Sequence, residues 1–94
     1  IEMFSTYSEE TMGFIRMSFD NNDENMWKSM CHKLKGSAAN LGARDLSSVC
    51  LIAEREYQAP RVDKEIMLLQ IEDKYKSVCK VLQEKLSGRL KSAA

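Results

Sequence analysis

The sequence predicts an all-α protein, an antiparallel, up-down four-helix bundle. Three observations predict it. Apolar residues recur at spacings of three and four along four separate stretches, the pattern that lines one face of a helix. The β-branched alternation of a strand is absent, and one proline and four glycines among 94 residues leave few places to break the chain. The breaks that do occur are short, and short turns make neighbouring helices antiparallel.

The first helix is expected over about residues 4–19, with Phe4, Ser8, Met12, Ile15 and Phe19 on its inner stripe. Asp20-Asn21-Asn22-Asp23 is a turn, in which Asp23 or Asn22 caps the second helix. That helix covers about 24–41, and Gly42 ends it in the C′ role. The third spans about 43–57, with Leu46, Val49, Cys50, Ala53 and Tyr57 inward, until Gln58-Ala59-Pro60-Arg61 breaks it. The fourth starts near Val62 or Asp63, carries Leu68, Ile71, Tyr75, Val78, Leu82 and Leu86 inward, and stops at Gly88, leaving 89–94 as a frayed tail. The whole chain, 1–94, reads as one domain.

Composition narrows the function. Fourteen basic and fourteen acidic residues cancel, so no basic field argues for nucleic acid. No apolar run approaches the roughly 20 residues of a membrane span, and no signal peptide is visible, so no direct membrane contact is expected. Cys31, Cys50 and Cys79 fit no zinc spacing and lie on or beside apolar stripes, where a reduced thiol acts as a small hydrophobe. That usage favours a reducing cytoplasm.

The second helix carries the only histidine. With Leu34 at zero on a helical wheel, Trp27, Met30, Cys31, Ala38 and Leu41 fall within about 60° of it, and His32 lands about 160° away. Lys28, Lys35, Gly36 and Ala39 surround the histidine on that outer face. A glycine inside a helix costs roughly 1 kcal/mol relative to alanine. Here it removes any side chain one turn from the imidazole, and Ala39 is small as well. An outward nucleophile, an open floor and a cation at Lys35 suit acceptance of a phosphoryl group. Counting heights from the turns, centred near residues 22 and 43, sets Met12 and Gly13 beside His32 on one side and Ala53 and Glu54 on the other.

His32-Lys33-Leu34-Lys35-Gly36-Ser37-Ala38-Ala39-Asn40-Leu41-Gly42-Ala43 resembles the signature of histidine-containing phosphotransfer (HPt) domains, H-x-L-K-G-S-[SA]-x-x-L-G-[AL]. The resemblance implies a bacterial phosphorelay protein in which His32 exchanges a phosphoryl group with aspartates of response-regulator receiver domains. A neutral imidazole, with a reference pKa of about 6.5, is the form able to attack. Lys35 is expected to offset the charge of the transferred group; Gly36, Ala39, Phe14 and Lys28 are expected to give access and docking. Glu54 would orient the ring through Nδ1; the family often has glutamine near this position, so glutamate departs from the pattern.

No P-loop, glycine-rich nucleotide loop or acidic cluster for Mg²⁺ is evident, so the chain is read as a transfer intermediate with no ATP site, cofactor or metal of its own. Mg²⁺ is expected in the receiver partner. The start at Ile1 leans toward the C-terminal module of a hybrid sensor kinase, with a free-standing protein left open. In the module case the parent is a protein-histidine kinase that can be anchored in the inner membrane, with this domain cytoplasmic; the isolated domain is expected to be monomeric. Two alternatives stay open: a helical adaptor that binds a receiver without transfer, and the dimerisation and phosphoacceptor domain of a histidine kinase. The latter family typically places a proline shortly after its histidine, where Gly36-Ser37 stands here.

Overall fold

In the computed structural model, backbone is described for residues 2–93 and side chains for residues 7–84. The described residues form four helices: α1 (Glu2–Asp20), α2 (Glu24–Leu41), α3 (Arg44–Arg55) and α4 (Arg61–Ala93). There is no strand among the described residues. Each helix packs against two others, in the ring α1–α2–α3–α4. At about 1.5 Å per residue α4 is about 50 Å long, and it sets the long dimension of a 51 × 19 × 19 Å molecule.

Local chemistry explains the boundaries. Asp23 caps α2, its Oδ1 accepting the Met26 N–H at 3.0 Å, which satisfies one of the orphan donors of the first turn. At the other end Gly42 adopts φ 82°, the left-handed region that glycine enters without a Cβ penalty. The Gly42 N–H closes on Ala39 and the Ala43 N–H on Ala38, at 3.1 and 2.9 Å, which pairs two of the last four carbonyls of α2. Pro60 sits just before α4, and its carbonyl accepts the Lys64 N–H to open that helix.

Three sequence-based boundaries shift. The third helix is shorter than expected, Arg44–Arg55, so Tyr57 lies beyond its end and is half-buried. The fourth begins at Arg61, because only the residue preceding Pro60 is disfavoured from helix. It also runs through Gly88 to Ala93: one glycine costs a helix about 1 kcal/mol, and the residues on either side are adequate helix formers. Phe4 and Leu86 lie outside the residues whose side chains are described.

The core is one cluster drawn from all four helices, including Met12 and Ile15, Trp27, Cys31 and Leu34, Leu46, Cys50 and Ala53, and Leu68, Ile71 and Tyr75. Fully burying a side chain of Leu or Ile size contributes about 1.5–3 kcal/mol, so this stripe dominates the stability of α2. Leu41, the last residue of α2, leaves it, 38% exposed, and borders an open cavity together with Lys74, Val78 and Leu82 of α4. Polar groups in the core are paired: Ser8 Oγ and the Tyr75 hydroxyl lie 3.0 Å apart, linking α1 to α4. The Ser18 hydroxyl donates to the Ile15 carbonyl at 2.7 Å.

Candidate functional site

His32 stands on the face of α2 opposite Trp27, Cys31, Leu34 and Ala38, which are fully buried. Its side chain is 67% exposed. Gly36 is exposed, and a Cβ built there meets no atom within 4 Å; Ala39 is exposed too. The floor beside the ring is open.

The neighbouring helix supplies the ring's partner. Leu46, Cys50 and Ala53 turn α3 toward the core, which carries Glu54 to the flank facing α2. The two Glu54 carboxylate oxygens lie 3.1 and 3.2 Å from His32 Nδ1. Lys35 Nζ donates to the same carboxylate, at Oε1, over 2.8 Å. Lys35 and Glu54 are the sheltered members of this trio, 25% and 19% exposed. The Lys35 hydrogen bond, assisted by that of His32 and opposed by partial burial, holds the Glu54 carboxyl below its ordinary value. Glu54 is therefore ionised at neutral pH, and an ionised carboxylate only accepts hydrogen bonds. Nδ1 must then be the donor, which assigns the Nδ1–H tautomer to the neutral ring and leaves the lone pair on Nε2.

Sequence reasoning missed what holds α3 in place. The indole N–H of Trp27 donates to the Ala53 carbonyl at 2.8 Å inside the core. Its signal was present: a lone tryptophan on an inward stripe needs an acceptor for its N–H. Lys64 was missed too; it falls on the inner stripe of α4, one turn from Leu68, and its ammonium lies 5.5 Å from the centre of the Trp27 ring.

The remaining candidates are spread around this centre. Lys28 places its ammonium 4.6 Å over the Tyr57 ring and Lys33 does the same over Tyr7. Phe14, Tyr7 and Met17 are all exposed on α1. The cysteines are free; Cys31 and Cys50 are buried and Cys79 is half-buried. Burial, chiefly, pushes the Cys50 thiol up to about 12 and moves Cys31 in the same direction. No group of His, Cys, Asp and Glu among the described residues is arranged to hold a metal ion. No helix among them is long and apolar enough to cross a membrane.

The family profile described as Hpt domain matches residues 1–92. The chain belongs to the Hpt domain family. Members of this family carry out histidine phosphotransfer in phosphorelays, interact with response-regulator receiver domains, and are helical bundles. A search of curated proteins and one of solved structures returned no match.

Proposed function

We propose that His32 is the phosphoacceptor of a phosphorelay and exchanges the group with an aspartate of a receiver domain. The observation that carries this is the exposed ring beside the Gly36 clearing, engaged at Nδ1 by Glu54. The Nε2 lone pair attacks the phosphorus of the aspartyl phosphate. The N–P bond forms as the bond from phosphorus to the acyl oxygen breaks, and the aspartate leaves as a carboxylate. The ring becomes cationic as it gives up its lone pair, and the Glu54 carboxylate, already on Nδ1–H, stabilises that charge. Lys35 has donors to spare beyond its bond to Glu54 and offsets the charge of the incoming oxygens. Gly36 and Ala39 give access, Phe14 and Lys28 flank the approach, and Mg²⁺ belongs to the receiver.

We also propose that the helices alternate in direction. Two levels of contact support it in each of two pairs: Ser8 with Tyr75 and Phe19 with Arg61 between α1 and α4, and Trp27 with Ala53 and Lys35 with Ser47 between α2 and α3. The family is compatible with a cytoplasmic location, and with either a free-standing protein or a module of a hybrid kinase. Four helices sharing one core support a monomeric domain.

The test is transfer from receiver domains charged with acetyl phosphate and Mg²⁺, read as acid-labile phosphoprotein. Wild type is expected to take up the group; His32→Gln, with unchanged helical content, is expected to take up none. Uptake by His32→Gln refutes the assignment.

A further inference from the structure

We propose that Trp27 is a positioning residue for the transfer: its indole N–H ties down the end of α3 and thereby keeps Glu54 on the His32 ring. The proposal rests on the reading of His32 and Glu54 given above.

Glu54 occupies a poor place for a fixed carboxylate. It lies in the last turn of α3, one residue before the helix ends at Arg55, where helices fray. Its negative charge also sits at the negative end of the helix dipole. The Lys35 ammonium offsets the charge, but a lysine side chain is long and flexible and does not fix a backbone. Something rigid must hold that turn.

Trp27 does so from α2. The Glu56 N–H closes the last helical bond of α3 on the Ile52 carbonyl. The next carbonyl along, that of Ala53, receives the indole N–H at 2.8 Å. Ala53 is buried and directly precedes Glu54, so the bond restrains the peptide that aims the Glu54 side chain. The donor is itself held: Trp27 is fully buried, with the Phe19 ring 6.5 Å away and the Lys64 ammonium over its face. His32 and Trp27 belong to one rigid helix, five residues apart on opposite faces. One helix thus presents the nucleophile and clamps the turn that orients it.

The chain holds a single tryptophan, so biosynthetic incorporation of benzothienylalanine removes the N–H while keeping the ring volume. Trp27→Phe is the second variant. Imidazole ¹⁵N spectra report the tautomer of His32, and uptake from phosphoramidate reports its nucleophilicity without any partner. We expect the Nδ1–H tautomer to lose share and uptake to slow about fivefold, the factor matching a typical net hydrogen bond. Neither effect should appear when the replacement is made in Glu54→Ala. In the unmodified chain the indole N–H should exchange with solvent as slowly as core amides. An unchanged tautomer share overturns the proposal, as does fast indole exchange, or an equal slowing in Glu54→Ala, which a merely structural tryptophan would give. If wild type takes no phosphoryl group from phosphoramidate or any receiver, the functional reading fails, and the tautomer comparison still decides the role of Trp27.

Discussion

Gly36 offers a test in which stability and activity move in opposite directions. A helix-interior glycine costs about 0.5–1 kcal/mol relative to alanine, through the backbone entropy it loses on folding. The Cβ of an alanine at 36 would meet nothing within 4 Å, and the residue sits in the body of α2, so no clash cancels the gain. Gly36→Ala should therefore stabilise the fold by about 0.5–1 kcal/mol, or raise Tm by about 2–8 °C for a domain of this size. Gly36→Glu keeps part of that gain, since glutamate is a fair helix former. It also fills the clearing beside His32 and adds a negative charge where an anionic group must arrive. A misplacement of about 1 Å in a transfer geometry costs roughly 10²-fold, so transfer from a charged receiver should slow by about that factor. Urea denaturation and rapid-mixing transfer assays on the same preparations read the two effects. Destabilisation by Gly36→Ala, or undiminished transfer by Gly36→Glu, would refute the idea that this glycine is kept for access.

Other outcomes follow from the core and the ion pairs. Leu34→Ala empties a fully buried position and should cost about 2–5 kcal/mol in urea denaturation, whereas Leu41→Ala, 38% exposed, should cost well under half of that; equal costs would contradict the assigned core. Because the folded Glu54 carboxyl lies below its ordinary value, its stabilising contribution is full above the unfolded pKa of about 4.3 and fades as pH falls through the folded value. The stability gap between wild type and Glu54→Gln should then close on acidification from pH 7 to 3, and a gap that widens would reverse the sign. With Cys31 buried and the Cys50 thiol pushed up to about 12, a thiol-disulfide reagent at pH 8 should label the half-buried Cys79 alone in the native chain; early labelling of Cys31 or Cys50 would put them outside the core.

How much of this was legible before the structure depends on whether a feature is local. The wheel position of His32 follows from 3.6 residues per turn alone, and the same arithmetic sets Trp27, Cys31, Leu34 and Ala38 on the buried side. Heights counted from the turns put Glu54 level with His32, because rise per residue is fixed. They give no direction for the Lys35 ammonium, which bridges to Glu54 instead of standing free beside the ring. That choice depends on which flank of α3 faces α2, and so on the packing of Leu46, Cys50 and Ala53. Lys64 illustrates the same limit: its register on α4 is inward, and only the nearness of the Trp27 face makes a lysine tolerable there. The end of α4 escapes local reading for a different reason: Gly88 can terminate a helix or, as here, sit within one.

On the proposed reading, the reacting centre is the His32 ring, the Glu54 carboxylate and the Lys35 ammonium. If His32 is a relay intermediate as proposed, it must give up the phosphoryl group as well as accept it, so the acceptor should hold it without binding it tightly. A carboxylate on Nδ1 serves that end. It steadies the ring cation formed with the N–P bond, yet its own charge opposes the anionic group nearby. Replacing Glu54 with glutamine removes the opposition while an amide oxygen still accepts from Nδ1–H. Phosphorylated Glu54→Gln should therefore hold its group longer than wild type, measured as slower loss of acid-labile phosphate at neutral pH. Faster loss would mean that the carboxylate's support of the cation outweighs its repulsion of the phosphoryl oxygens.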